Sequence, residues 1–382
     1  MFLYKILENP LFIELTFWLL WISIFIFYSI RLNKQNISKE IIVYLKLLFL
    51  FLTLIGFIRL YFPNILPFTP DGIYYLDGEY RPDLFGPNIY EYFISFINLL
   101  FGDNVKNLIL INILFYCLSI KELVLIVPNY KNKNFNLFFF FAFLFPSVIW
   151  FIPNILRESL FIYFLVMVLK YSLINTNNSK IMISNIFKVL FFSFLAFSLR
   201  PQILPILFVW SSFALIKNKK VSFILVTLLG LIVSQIEYIK TEILEKISWH
   251  YLESFKSEAA NSLQKISFGE LIIPENFYDL ISYAPLLFFR FLFSPYPWDL
   301  SNTQYAFAYL DSVFIVIFFT IILYKFLKGN IQNYKIMLFA FLFLFVLSIF
   351  EISFTGSVRH RFPFIVILFP YLVINKKDNS NA

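Results

Sequence analysis

Cysteine is nearly absent, with Cys117 the only one in 382 residues. One thiol can form neither an intramolecular disulfide nor a thiolate metal cage, so a secreted disulfide scaffold is excluded. Cys117 lies in an apolar run and reads as a small core residue. Charge is scarce too. Asp, Glu, Lys and Arg make up 14% of the chain, against about 25% in soluble domains. That is too little to solvate a globule, and it excludes both a soluble enzyme and a disordered chain. Alternation of apolar and polar residues is also missing. The apolar runs are continuous, which excludes a β-barrel. No internal repeat and no separate soluble domain stand out.

What is present is apolar surface. The chain is 60% hydrophobic and 22% aromatic, with 54 Phe, and runs long enough to cross a bilayer recur from end to end. The fold class expected is all-α, a polytopic transmembrane helical bundle in a single membrane domain. Eleven spans are expected, at about 11–30, 42–62, 105–122, 135–152, 158–174, 183–199, 203–217, 221–238, 305–325, 336–354 and 362–375. The first run has no small-residue cleavage site and reads as a retained helix. The net charge of +8 comes mostly from Lys and Arg in one set of short loops, not from a nucleic-acid-binding face. Those loops hold Arg31, Lys34 and Lys39; Lys121, Lys131 and Lys133; Lys170 and Lys180; Lys217, Lys219 and Lys220; Lys325, Lys328 and Lys335; and Lys376 and Lys377. Positive charge on the inner side makes these loops cytoplasmic. The abundance of Phe, Ile, Asn and Lys suggests an AT-rich bacterial genome, hence a bacterial cytoplasmic (inner) membrane.

The opposite loops carry the chemistry. The first, FTPDGIYYLDGEYRPDLFGPNIYEYF, holds Asp71, Asp77, Glu79 and Asp83 among Gly and Pro turn residues. Asp71 stands just outside a span, near Tyr74, where a carboxylate is placed to act as a general base on a sugar hydroxyl. The later acids read as a solvated polar loop. In PSVIWFIPNILRESLFIYFLV, Arg157 and Glu158 open the returning helix after Pro153 and Asn154. They read either as a helix-start ion pair or as a cation facing a lipid phosphate. In FSLRPQILP, Arg200 ends one span. In SVRHRFPF, Arg359, His360 and Arg361 stand before Pro363, in what reads as the outer loop before the last span. Arg supplies a planar donor fork for phosphate oxygens; lipid-headgroup anchoring is the alternative. The long segment 239–304 reads as an outer-face layer with an interfacial or re-entrant element near 279–299. Within it, Arg290, Trp298 and Asp299 bracket an aromatic Pro-rich turn, an interfacial anchor or a sugar-stacking platform. His250 has no assigned role. Glu14, Asp311 and Glu351 are the acids a proton- or ion-coupled carrier would draw on.

The Asp-then-Tyr loop exit, the run FISFINLLFGDNVKNLILINILF and the ending SVRHRFPFIVILFPYLVI together resemble the integral-membrane glycosyltransferases of the C superfamily, of the protein mannosyltransferase and aminoarabinose-transferase type. The motifs FPSVIWFIPNILRESLFIYFLV, LRPQ and SPYPW resemble multispan proteins encoded with surface-polysaccharide genes. The resemblance covers about 65–375. It implies transfer of a sugar from a polyprenyl-phosphate donor to a lipid-linked glycan or other surface acceptor. Asp71 would then match the catalytic carboxylate, and Arg359 and Arg361 the basic group at the donor phosphate. Arg157, Glu158, Arg200, His360, Tyr74, Arg290 and Trp298 complete the expected substrate-binding set. No cofactor is required, and a divalent metal is left open. The chain departs from the family pattern in having two spans before the acidic loop and no clear second acidic motif. A polysaccharide polymerase or ligase acting on undecaprenyl-diphosphate glycans, and a lipid or glycan carrier, are the alternatives.

Sidedness is directly testable. Single cysteines placed in a Cys117→Ser background should be labelled from outside at position 79 or 256 and spared at position 132. Strong outside labelling at 132 would reverse the topology and remove the outer-face assignment.

Overall fold

The computed structural model describes residues 10–33, 37–69, 87–101, 105–127, 130–173, 179–200, 277–299, 303–328, 334–351 and 353–373, with 203, 207 and 210 as isolated positions. The described residues are predominantly helical, with no strand among them. The chain divides into two compact units, residues 1–167 with 198–200, and residues 168–197 with 201–382. The expected spans 203–217 and 221–238 lie almost wholly outside the described residues, as do Asp71, Tyr74 and His250.

The N-terminal unit is built on α1 (Pro10–Asn33), α2 (Lys39–Tyr61), α3 (Pro87–Phe101), α4 (Val105–Ile126), α5 (Asn136–Leu144), α6 (Pro146–Phe151) and the start of α7 (Glu158–Leu173). Three described helices in the chain are long and apolar enough to cross a membrane: Lys39–Tyr61, Val105–Ile126 and Ala306–Leu327. At 1.5 Å per residue, α2 is about 34 Å long, enough for a hydrocarbon core of about 30 Å. This is compatible with a multi-pass membrane protein.

The side chain of Ser38 caps α2 by accepting from the Ile41 amide at 3.4 Å. One stripe of α2 is buried: Ile41, Leu45, Leu48, Leu52, Gly56 and Arg59. Val43, Leu47, Leu50 and Leu54 on the other side are exposed. Both faces are therefore apolar, as suits a helix with protein on one side and lipid on the other. In such a helix hydrophobicity does not choose the packed face. Small residues and polar contacts do. At Gly56, an added Cβ would stand 3.0 Å from Ile109 Cγ2 on α4. That absence of side chain lets α2 and α4 approach closely. Helix α4 is buried almost all round, from Asn107 to Val124, and contacts α1, α2 and α3.

Two expectations are refined here. The expected span 135–152 is two helices, α5 and α6, because Phe145 is extended (φ −60°, ψ 125°) and Pro146 opens the second. Proline disfavours helical backbone in the residue before it and is well placed at a helix start. The run 87–101 is a helix, α3, where no span was expected.

The C-terminal unit contains α8 (Ser179–Leu199) up to Phe197, α9 (Phe277–Phe293), α10 (Thr303–Leu327), α11 (Tyr334–Phe350) and α12 (Phe354–Leu368), the last running into a short 3-10 turn, Phe369–Leu372. Helix α12 contacts α9, α10 and α11 and is buried continuously from Arg361 to Val373. Its start differs from the expected span at 362. Ser353 caps the helix through the Gly356 amide at 3.1 Å, and Pro363 lies inside it. Arg359, His360 and Arg361 are therefore helical residues and not a loop before a span. Likewise, most of the expected interfacial element at 279–299 is helix α9, which contacts α10, α11 and α12.

Gly56→Val should lower stability by about 1–3 kcal/mol through overpacking. Thermal unfolding in detergent measures this, and an unchanged midpoint would contradict the close approach of α2 and α4.

Candidate functional site

In the N-terminal unit the polar groups gather around the turn between α6 and α7. Helix α6 ends at Phe151, leaving main-chain carbonyls without helical partners. Arg59, in the last turn of α2 and fully buried, reaches two of them. Its Nη1 donates to Trp150 O at 2.9 Å and Pro153 O at 3.0 Å. Its guanidinium lies 5.6 Å from the Trp150 ring centroid and 6.0 Å from that of Phe68, within the range for cation–π attraction. Asn154 ties the same turn to its neighbours. Its Nδ2 donates to Thr69 Oγ1 at 3.1 Å, its Oδ1 accepts from the Ile155 amide at 2.8 Å, and its carbonyl accepts from Asn112 Nδ2 at 2.6 Å. Asn112, on α4, also donates to the Tyr90 hydroxyl at 3.1 Å. These buried groups were not singled out in the sequence, although an Arg inside an otherwise apolar span was a signal for Arg59.

The neighbouring stretch holds three of the expected residues. Glu158 Oε1 accepts from Arg200 Nη2 at 2.8 Å, with both side chains buried, and the Arg200 guanidinium lies 5.0 Å from the Phe161 centroid. The ion pair of Glu158 is thus with Arg200, 42 residues on, and not with the adjacent Arg157. Arg157 instead donates through Nη1 to Leu199 O, the last carbonyl of α8, at 2.9 Å.

In the C-terminal unit, Arg361 is committed to protein acceptors. Its Nη1 lies 2.9, 2.7 and 2.8 Å from the carbonyls of Phe291, Leu292 and Ser294. Its Nη2 donates to Asp311 Oδ2 and Ser312 Oγ, each at 3.0 Å. It is fully buried, so it joins the end of α9 to α10 and α12, a role that leaves it little capacity for a substrate phosphate. His360 is half-exposed, with Nδ1 2.6 Å from Glu351 Oε2. The other oxygen of Glu351 accepts from the Ser353 amide and hydroxyl at 3.1 and 3.2 Å. Gly356 leaves the room this carboxylate occupies, since an added Cβ would collide with Glu351 Oε1. Arg359 is half-buried. Arg290 is half-buried on α9, and Trp298 is 79% exposed, stacked on Tyr296 with centroids 5.0 Å apart. Asp299 Oδ2 accepts from the Tyr296 amide at 2.8 Å, closing that turn.

The structure thus brings Arg157, Glu158 and Arg200 together in one unit. It groups Arg361 with Asp311, and His360 with Glu351, in the other. Asp71 and Tyr74 lie outside the described residues. No group of three His, Cys, Asp or Glu side chains able to hold a metal occurs among the described residues.

Asp311→Ala should cost about 3–5 kcal/mol, because it leaves the Arg361 charge buried without its counter-ion. Trp298→Ala, at an exposed position, should stay within about 0.5 kcal/mol. Thermal unfolding of the two variants side by side checks the contrast, and equal midpoints would contradict it. No family model matches the chain, and no curated protein or solved structure matches it, so the site is read from its own geometry.

Proposed function

We propose that the chain is a membrane glycosyltransferase of the bacterial cytoplasmic (inner) membrane. It takes a sugar from a polyprenyl-phosphate-linked donor on the outer face and passes it to a lipid-linked glycan or other cell-surface acceptor. The observation that carries this reading is the charge balance around the segment from Trp150 to Glu158. Among the described residues, the hydrogen bonds there gather three guanidinium groups, Arg59, Arg157 and Arg200, and one carboxylate, Glu158. A surplus of cation inside an apolar helical body is stabilised by an anion. A phosphate on a lipid is the anion that such a body meets.

In this mechanism Asp71 takes the proton of the acceptor hydroxyl. The freed oxygen attacks the anomeric carbon of the donor, and the bond from that carbon to the phosphate oxygen breaks. Polyprenyl phosphate leaves with the electron pair, and the charge developing on it is met by Arg157, with Glu158 holding Arg200 beside it. Tyr74 remains a residue for the sugar and acceptor, while Arg359, His360, Arg290 and Trp298 belong to the C-terminal unit and are given no part in this step. The chemistry requires no cofactor, and a divalent metal at the phosphate would assist in the same sense. The partners are the lipid donor, the glycan acceptor and membrane lipid, with no role for nucleic acid.

The test is turnover in vesicles across a panel of polyprenyl-phosphate sugars. Asp71→Asn should lower turnover by roughly a hundredfold or more, the contribution of a general base, while retaining donor binding. Arg157→Ala should weaken donor use. Full turnover in Asp71→Asn would favour a polymerase using undecaprenyl-diphosphate glycans, and glycan movement without any new linkage would favour a carrier.

A further inference from the structure

Arg59 and Arg361 are used alike up to a point. Both are fully buried, and both direct Nη1 at main-chain carbonyls at the C-terminal end of a helix. They differ at Nη2. In Arg361 that nitrogen meets the Asp311 carboxylate and the Ser312 hydroxyl. In Arg59, Nη2 and Nε are buried and have no acceptor among the described residues. Both Nη1 hydrogens of Arg59 are engaged by Trp150 O and Pro153 O, so the edge left over is the Nε–Nη2 edge. That edge presents two parallel N–H donors, the fork that binds carboxylate or phosphate oxygens in bidentate fashion. An unpaired guanidinium at this depth is costly. Fixing its other edge on two carbonyls, between two aromatic rings, holds the fork in one orientation.

We propose that the Nε–Nη2 edge of Arg59 is the seat of an anion site that takes a phosphate group carried on a lipid. The phosphate rests on Arg59; the choice of a polyprenyl tail rests on the function proposed above. The surroundings favour a lipid as the source. Arg59 lies in the last turn of a membrane-length helix, and Tyr61, Phe62 and Ile65, at and just past its end, are exposed and apolar. A tail can rest on these side chains at the helix end, with its phosphate at the level of Arg59.

The test uses the full-length chain in nanodiscs and three probes: a polyprenyl phosphate, the matching polyprenol and inorganic phosphate. Binding is read by titration and by the shift in thermal midpoint. The wild-type protein should bind the polyprenyl phosphate and be stabilised by it, and the neutral polyprenol should neither compete nor stabilise. Arg59→Gln, which can still donate to the two carbonyls, should weaken phosphate binding by roughly tenfold or more. Arg59→Lys, which keeps the charge but lacks the fork, should also weaken it. Equal stabilisation by inorganic phosphate would keep the anion site and assign it to the free ion. Equal binding of polyprenol and polyprenyl phosphate by the wild-type chain would overturn the proposal, as would unchanged binding in Arg59→Lys. So would a result in which Asp71→Asn, Asp77→Asn, Glu79→Gln or Asp83→Asn reproduces the instability of Arg59→Gln while phosphate binding stays intact, since the anion would then be a carboxylate of the chain itself. None of these readouts needs turnover, so a failure of the transferase reading leaves the site standing and a failure of the site is seen separately.

Discussion

Helix ends inside an apolar body expose carbonyls that no water can satisfy, and arginine is the group that satisfies them here. Arg59 takes the carbonyls of Trp150, in the last turn of α6, and of Pro153, just past its end. Arg157 takes that of Leu199. Arg361 takes those of Phe291, Leu292 and Ser294 at the end of α9. Each meets the negative end of a helix dipole with a cation whose planar donors reach more than one direction. A lysine would offer a point charge and lose the geometry. The polar residues of both units are arranged around these contacts.

Once a guanidinium is fixed in this way, its charge still has to be balanced. Asp311 balances Arg361 and Glu158 balances Arg200, each within 3.0 Å. Such pairs favour one helix arrangement over others, because breaking them strands a buried charge. They also divide the arginines by role. Arg361 and Arg200 each have a protein carboxylate, whereas the Nε–Nη2 fork of Arg59 has no acceptor among the described residues. A basic cluster read from the outer loops alone would not make that division.

Close packing supplies the rest of the specificity. Gly56 brings α2 against α4, and Gly356 makes room for the Glu351 carboxylate that also receives His360. In a body where lipid is as apolar as the core, burial of leucine and phenylalanine stabilises many arrangements almost equally. Positions where a side chain is missing, or where a polar group must find its partner, distinguish among them.

Composition alone pointed to the all-helical class: scarce charge and continuous apolar runs are compatible with a multi-pass membrane protein, in which helices are the way to satisfy the backbone. The positions of α1, α2, α4, α7, α8, α10 and α11 were legible for the same reason, since a run of about 20 apolar residues marks its own helix. Arg157, Glu158, Arg200, Arg359, His360 and Arg361 stand out in the sequence as charged or titratable groups in an apolar setting. What each of them touches was decided by tertiary structure. Glu158 pairs with Arg200 rather than with its neighbour Arg157, and Arg361 lies inside α12 against Asp311 rather than in a loop. Arg59, Asn112 and Asn154 come together from segments about 40 to 90 residues apart. Hydropathy measures what a residue prefers to leave, which is water. It carries no information about which of several apolar neighbours, or which distant carbonyl, the residue will meet.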